Sequence, residues 1–303
     1  MKQYIDASIE AYSSLKIMVL TGGEPFIFGK KLEEIVRHAA SKGLMVRIVS
    51  NGFWAKDYDK AYKKVESLIK AGLTEINFST GDDHLEFVPI ETIKNGTLAS
   101  LRQRLIVAIN VEAAQGRKFD SKFFLEDPDL KEYAEKGKLM IMNGLWIPFV
   151  QPEEIEKESN DEKKKAIITE SYTRCKNLFT SITIDPNHRL VACCGITSKY
   201  IEYLDLGDTS EFPIKDLYDR QFNDFMKIWL ATEGAHKIMD FIAQYTNIDE
   251  NCKTEHACQV CEKILSNPQY LQIVQENHRK IYTNTLLKYF INKKEIQHET
   301  EKT

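Results

Sequence analysis

Leu20-Thr21-Gly22-Gly23-Glu24-Pro25-Phe26 is the stretch on which the reading of this chain turns. It follows an apolar run, Ile17-Met18-Val19-Leu20, and precedes a helical pattern that begins near Lys30. A strand that empties into Gly-Gly-Glu-Pro and then into a helix reads as a ligand-facing turn. Two residues without Cβ let the backbone approach a bound molecule closely, and a carboxylate beside them can hold an amine. Gly-Gly and Glu-Pro are also ordinary turn chemistry, so this turn alone does not separate a binding loop from a plain reversal.

Outward from that turn, the first 150 residues alternate between two patterns. Ile17–Leu20, Leu44–Val49, Glu75–Ser79, Leu105–Val111 and Leu139–Met142 read as strands. Lys30–Ser41, Asp57–Ala71 and Pro89–Arg102 read as helices, and a weaker helix lies near Pro128–Glu135. Gly43 and Gly72 serve as stops, and Asp57 serves as a cap. Strands recur roughly every 30 residues with helices between them, which predicts an α/β protein with a parallel sheet, open or curled toward a barrel. In such sheets ligands sit beyond the C-terminal strand ends. Gly22–Pro25, Ser50–Gly52 and Ser79–Asp83 fall on three successive strand ends, so three polar, glycine-bearing loops are expected on one rim.

The chain has 303 residues, is 43% hydrophobic and 28% charged, and carries a net charge of −4. That is an ordinary globular profile with room for one large or two medium domains. The charge gives no electrostatic case for nucleic acid or a membrane surface. Asp6 and Glu10 precede the first apolar run, which fits neither a signal peptide nor a membrane span, so a cytoplasmic protein is expected.

All six cysteines (Cys175, Cys193, Cys194, Cys252, Cys258 and Cys261) lie in the C-terminal half. In a reducing compartment such clustering points to metal more than to disulfides. Residues 151–166 are dense in charge and read as a linker or a solvated helix. Beyond them, Thr180–Ile184 and Arg189–Ala192 read as a hairpin that ends in Cys193-Cys194. Helical patterns follow at about Gln221–Ala231 and Ala235–Tyr245, and a final helix runs from about Pro268 to Phe290. The polar tail Lys293–Thr303 is expected to fray. Cys258-Gln259-Val260-Cys261 is C-x2-C, and spacing leaves iron–sulfur, zinc and no metal all open.

In order and spacing, Leu20–Pro25, then Ser50-Asn51-Gly52, then Ser79 resemble the radical S-adenosylmethionine superfamily over most of residues 1–150. The resemblance implies that Gly22, Gly23, Glu24 and Pro25 form the turn that holds the methionine amino group of S-adenosylmethionine. It also implies that Ser50, Asn51 and Ser79 line the same site. The family carries C-x3-C-x2-C after its first strand, holding a four-iron four-sulfur (4Fe-4S) cluster. Here only 21 residues precede Gly22 and none is cysteine. Residues 1–20 read as the family's first helix (Ile5–Leu15) and second strand, so the expected fold is a partial (βα) barrel, truncated at its N-terminus. Loss of the cluster by the protein itself is the competing account.

The C-terminal cysteines resemble the SPASM or twitch extension of peptide-modifying members. By that resemblance Cys175, Cys193 or Cys194, Cys258 and Cys261 hold an auxiliary 4Fe-4S cluster. Asn187-His188 and Ala192 depart from the extension's usual hairpin, and Cys252 is an additional candidate ligand.

The implied organisation is a barrel-like domain over 1–150, a linker over 151–166, a small cysteine-rich α+β domain over 167–265 and a helical tail over 266–303. The implied chemistry is reductive cleavage of S-adenosylmethionine and hydrogen abstraction from a peptide or small-molecule substrate, served by an electron donor. No residue of this chain takes a catalytic role, and the chain alone is expected not to cleave the cosubstrate. Two other readings stand beside this one. The first is a non-catalytic binding or scaffold protein with a structural metal. The second is an ordinary βα enzyme using Glu24, Asp82 or Asp83 as acid or base.

Among lesser residues, His84 reads as a turn histidine in solvent more than a substrate contact. Trp54 is either a pocket wall or packing on the sheet top, while Trp146 and Trp229 read as core. His256 is a weaker metal candidate than any thiol.

Overall fold

Five short apolar runs that alternate with helical segments can bury themselves by pairing side by side under those helices. The computed structural model shows that arrangement. It describes residues 1–113, 118–145, 173–195, 198, 201–248, 252 and 256–300. Residues 151–166 and Trp146 lie outside the described residues. The chain divides into two compact units, with all the strands of the parallel sheet in the first and all the cysteines in the second.

The first unit opens with helix α1 (Lys2–Ala11), earlier than the Ile5–Leu15 pattern suggests. The sheet follows: β1 (Ile17–Leu20), β2 (Met45–Ser50), β3 (Leu73–Thr80), β4 (Ile106–Ala113) and β5 (Leu139–Leu145), paired in that order and all parallel. Helices α2 (Lys30–Ser41), α3 (Tyr58–Ala71) and α5 (Ile90–Leu101) connect them, and the four-residue helix α4 (Asp82–Leu85) follows β3. The weak pattern near Pro128–Glu135 resolves into α6 (Lys122–Glu126) and α7 (Lys131–Glu135).

Ile48, Ile76, Val107 and Leu139 align across the sheet and are buried. They join Leu32, Ile35, Val36 and Ala39 of α2 and Ala61, Val65, Leu68 and Ala71 of α3 in one core. Each large aliphatic side chain so buried contributes roughly 1.5–3 kcal/mol. Asp57 caps α3 by accepting the Lys60 N–H at 2.8 Å.

On the opposite face of the sheet several apolar side chains are exposed among the described residues: Ile17, Val19, Met45, Ile106, Met140 and Met142. Polar groups share that face: Arg47 pairs with Glu75 at 2.8 Å, and Asn77, Ser79, Asn110 and Glu112 follow along β3 and β4.

In the second unit Thr183–Ile184 and Arg189–Val191 form the expected hairpin. Asp185 shapes its turn by accepting the N–H groups of Asn187 and Arg189. A third strand, Asp205–Asp208, joins antiparallel, tied by Arg189 to Asp205 at 2.7 Å. Helices follow at Ile214–Arg220, Phe225–Glu233 and Ala235–Ile242, and Trp229 is core as expected. The expected single helix from Pro268 to Phe290 is instead two, Pro268–Asn277 and Tyr282–Thr300, separated by a 3₁₀ turn at His278–Lys280. The expectation of a frayed tail is corrected for residues 293–300, whose backbone continues the last helix. Among the described residues no helix is long and apolar enough to cross a membrane.

Candidate functional site

Parallel pairing places the loops that follow β1, β2 and β3 along one edge of the sheet. Leaving β1, the chain passes Gly22 (φ +82°) and Gly23 (φ +54°), both in the left-handed region that favours glycine. Both are exposed, and a Cβ at either would meet nothing within 4 Å. The backbone there is bare toward open space. Glu24 then turns inward and is only 9% exposed. It caps the 3₁₀ turn Pro25–Phe28, where Pro25 needs no donor of its own.

The Glu24 carboxylate joins two loops. Oε1 accepts the Phe26 N–H at 3.0 Å and the Ser50 hydroxyl at 2.9 Å. Oε2 accepts the Asn51 N–H at 2.8 Å and lies 3.0 Å from the same hydroxyl. Ser50 Oγ in turn accepts the Gly52 N–H at 3.0 Å and the Trp54 indole N–H at 2.9 Å. The hydroxyl is thereby fully used, and the carboxylate retains about one lone-pair position of its four. Trp54 stacks on Phe26 at 4.1 Å and 10°, so it packs over the clasp. Asn51 Oδ1 accepts the Phe53 N–H. Ser79 lies on β3 in register with Asn110, on the exposed face, and makes no part of the clasp.

One functional candidate is missing from the sequence reading: Glu112, near the end of β4. Its Oε1 accepts the Asp83 N–H at 2.5 Å, and its Oε2 lies 3.1 Å from His84 Nδ1. His84 is therefore not a free solvent histidine, as the sequence suggested, but half of a carboxylate–imidazole pair. Gly81 makes room for it, since a Cβ there would fall 1.8 Å from Glu112 Cγ. The signal available in sequence was an acidic residue inside an apolar strand pattern. Asp82 is engaged in another way, accepting the backbone N–H groups of Lys118 and Phe119.

In the second unit, three thiols are held above the usual thiol range. Cys193 is pushed up to about 11, chiefly by burial, with Cys175, Cys194 and Cys258 adding to the shift against the Gly195 N–H. Burial, then Cys175 and Cys194, push Cys258 up to about 11 as well, although the residue as a whole is exposed. Cys261 is held well above the usual thiol range by burial and by Cys175, Cys258 and Cys193. Among the described residues, however, no group of three or more Cys, His, Asp or Glu is close enough to hold a metal ion. Cys252 is buried, with Lys263 Nζ 3.8 Å from its sulfur. His256 caps the helix Ala257–Ser266, its ring accepting the Cys258 N–H at 3.2 Å.

In metal-free protein, alkylation of Cys193 and Cys258 is expected to stay slow at about pH 8, because the thiolate is the nucleophile. It should rise from pH 9.0 towards 11. In that window the folded chain keeps protons that the unfolded chain has released, so these thiols lower stability as pH rises. Mass spectrometry of labelled peptides reads the effect, and complete labelling near pH 8 would contradict it. The chain matches no protein-family model and no curated protein.

Proposed function

We propose that this chain is a radical S-adenosylmethionine protein or a part of one, its parallel sheet forming part of a (βα) barrel. The rim beside Gly22 and Gly23 then seats the methionine head of S-adenosylmethionine. The observation that carries the reading is the clasp: a buried carboxylate ties the β1 and β2 loops together and leaves two bare glycines facing outward. A loop built only to reverse direction needs neither the cross-loop carboxylate nor an uncovered backbone. In this reading the ammonium group meets glycine carbonyls and the spare lone pair of Glu24. Ser50 and Asn51 hold Glu24 in place, and Pro25 stiffens the turn. Ser79 lies further along the rim toward the ribose.

When bound, a reduced 4Fe-4S cluster would supply the electron for breaking a C–S bond of the sulfonium. Residues 1–174 contain no cysteine to hold that cluster, and these 303 residues alone are expected to bind the cosubstrate without cleaving it. In the second unit Cys175, Cys193 or Cys194, Cys258 and Cys261 would hold an auxiliary 4Fe-4S cluster. What supports that set is that burial first, and neighbouring thiols second, hold Cys193, Cys258 and Cys261 above the usual thiol range, although no three described ligands stand close enough to hold a metal as they are. The substrate in this reading is a peptide or small molecule, and the compartment is the cytoplasm. The C-x2-C spacing of Cys258 and Cys261, which zinc uses as readily as iron, supports a second reading, a non-catalytic binding protein with a structural zinc site.

Calorimetry with S-adenosylhomocysteine tests the seat. Binding is expected, weakened at least tenfold by Gly22→Ala, which adds a methyl group on the open side and strains a left-handed residue. Absence of binding to a folded chain overturns the reading. Anaerobic reconstitution with iron, sulfide and zinc analysis separates the two roles. About four iron and four sulfide per chain supports the cluster, and zinc alone supports the scaffold.

A further inference from the structure

The reading above leaves His84 and Glu112 without a task, yet the fold takes trouble to build them. Glu112 is an acidic side chain only 11% exposed near the end of a strand whose one other polar side chain is Asn110, and Gly81 is bare to admit it. Its two oxygens are spoken for by the Asp83 N–H and by His84 Nδ1. A carboxylate accepts hydrogen bonds, so it selects the tautomer with hydrogen on Nδ1 and leaves Nε2 with a bare lone pair. The imidazole is 30% exposed, so part of the ring is open to a visitor. Glu112 also shares the exposed face with Ser79 and Asn110, on neighbouring strands of the same rim. An oriented imidazole beside such a polar face is the arrangement general acid–base chemistry requires.

We propose that His84 is a proton-transfer residue for a substrate lying over the β3 and β4 strand ends, with Glu112 as its positioning residue. The proposal rests on the seat at Gly22 and Gly23 for the neighbouring ligand only. The substrate class is a molecule presenting a hydroxyl or an ammonium group. That proton moves to Nε2, the electron pair stays on the oxygen or nitrogen, and the imidazolium is stabilised by Glu112 until it returns the proton to water or product. No oxidant or reductant enters this step. Among the described residues, the charged groups next to His84 include Glu112 on β4, Asp82 and Asp83 on its own helix and Glu86 at that helix's end, and Lys118 lies in the segment bonded to Asp82.

Diethyl pyrocarbonate, which acylates neutral imidazole, is the probe, with mass spectrometry locating the label in the full chain. His84 is expected to react several-fold faster than the exposed His188, and Glu112→Gln should slow His84 about tenfold while leaving His188 unchanged. Equal rates in the wild type and in Glu112→Gln overturn the proposal. Should Glu112→Gln not fold, nitrogen NMR of the wild-type imidazole decides the matter. A single Nδ1–H tautomer supports the pair, and a mixture overturns it. A purely structural capping role for Glu112 predicts no effect on imidazole reactivity. In a second arm S-adenosylhomocysteine is added. Protection of His84 supports a shared site, and binding by calorimetry without protection overturns the placement beside the ligand. Absence of binding removes the seat alone, and the reactivity arm still decides the pair.

Discussion

Glu24→Ala is expected to lower the unfolding free energy of the first unit by roughly 3–5 kcal/mol, among the largest effects of any single substitution here. The carboxylate receives the Phe26 N–H, the Asn51 N–H and the Ser50 hydroxyl in a site only 9% exposed. Truncation leaves three donors without an acceptor where water enters poorly, each costing about 1–3 kcal/mol before relaxation. It also frees Ser50 to turn, so the Trp54 indole N–H loses its anchor and the stack on Phe26 loosens. Glu24→Gln keeps the shape but turns an amide N–H₂ toward a donor, and should cost about half as much. Urea denaturation followed by Trp54 fluorescence measures both. A loss below about 1 kcal/mol for Glu24→Ala would show that the clasp is ornamental. The same variants separate structure from binding, because Glu24→Gln should bind S-adenosylhomocysteine more weakly than its stability loss explains.

Gly234→Ala is the second large effect, and it reaches the thiols. Gly234 sits between the helices Phe225–Glu233 and Ala235–Ile242 with φ +84°. A Cβ there would lie 2.1 Å from the carbonyl oxygen of Thr173 and 3.3 Å from Arg174 Cα. Those are backbone atoms and cannot swing aside as a side chain would. The strand of chain at 173–175 must move, and with it goes the bond from the Cys175 N–H to Leu230 O at 3.0 Å. The expected cost is about 3 kcal/mol or more, the strained φ and the overlap adding together. Cys175 should label much faster with iodoacetamide, and reconstituted metal should fall in proportion. Unchanged melting temperature and unchanged Cys175 labelling would refute the coupling.

Much of the first unit was legible from residues alone. A period of about 30 residues, alternating with helical stripes such as Leu32, Ile35, Val36 and Ala39, has few solutions other than a parallel sheet under helices. The strand order follows, because each crossover joins neighbours. The second unit was less legible. Asp205–Asp208 carries too few apolar residues to announce a strand, and its pairing rests on Arg189 reaching Asp205 across the sheet. The break at His278–Lys280 has no proline or glycine to mark it. It becomes visible only where the His278 ring bonds to the carbonyls of Val274 and Gln275 and closes the helix end.

Residue order by itself determined the five parallel strands, the glycine turn at residues 22–23 and the crowding of cysteines beyond residue 174, since periodicity and chain connectivity are local properties. Tertiary structure alone decided that Glu24 ties two loops together and that Glu112 stands over Gly81 to orient His84. Those partners lie 26 to 28 residues apart. Contacts across such a separation depend on how neighbouring strands align, which no short stretch of chain encodes.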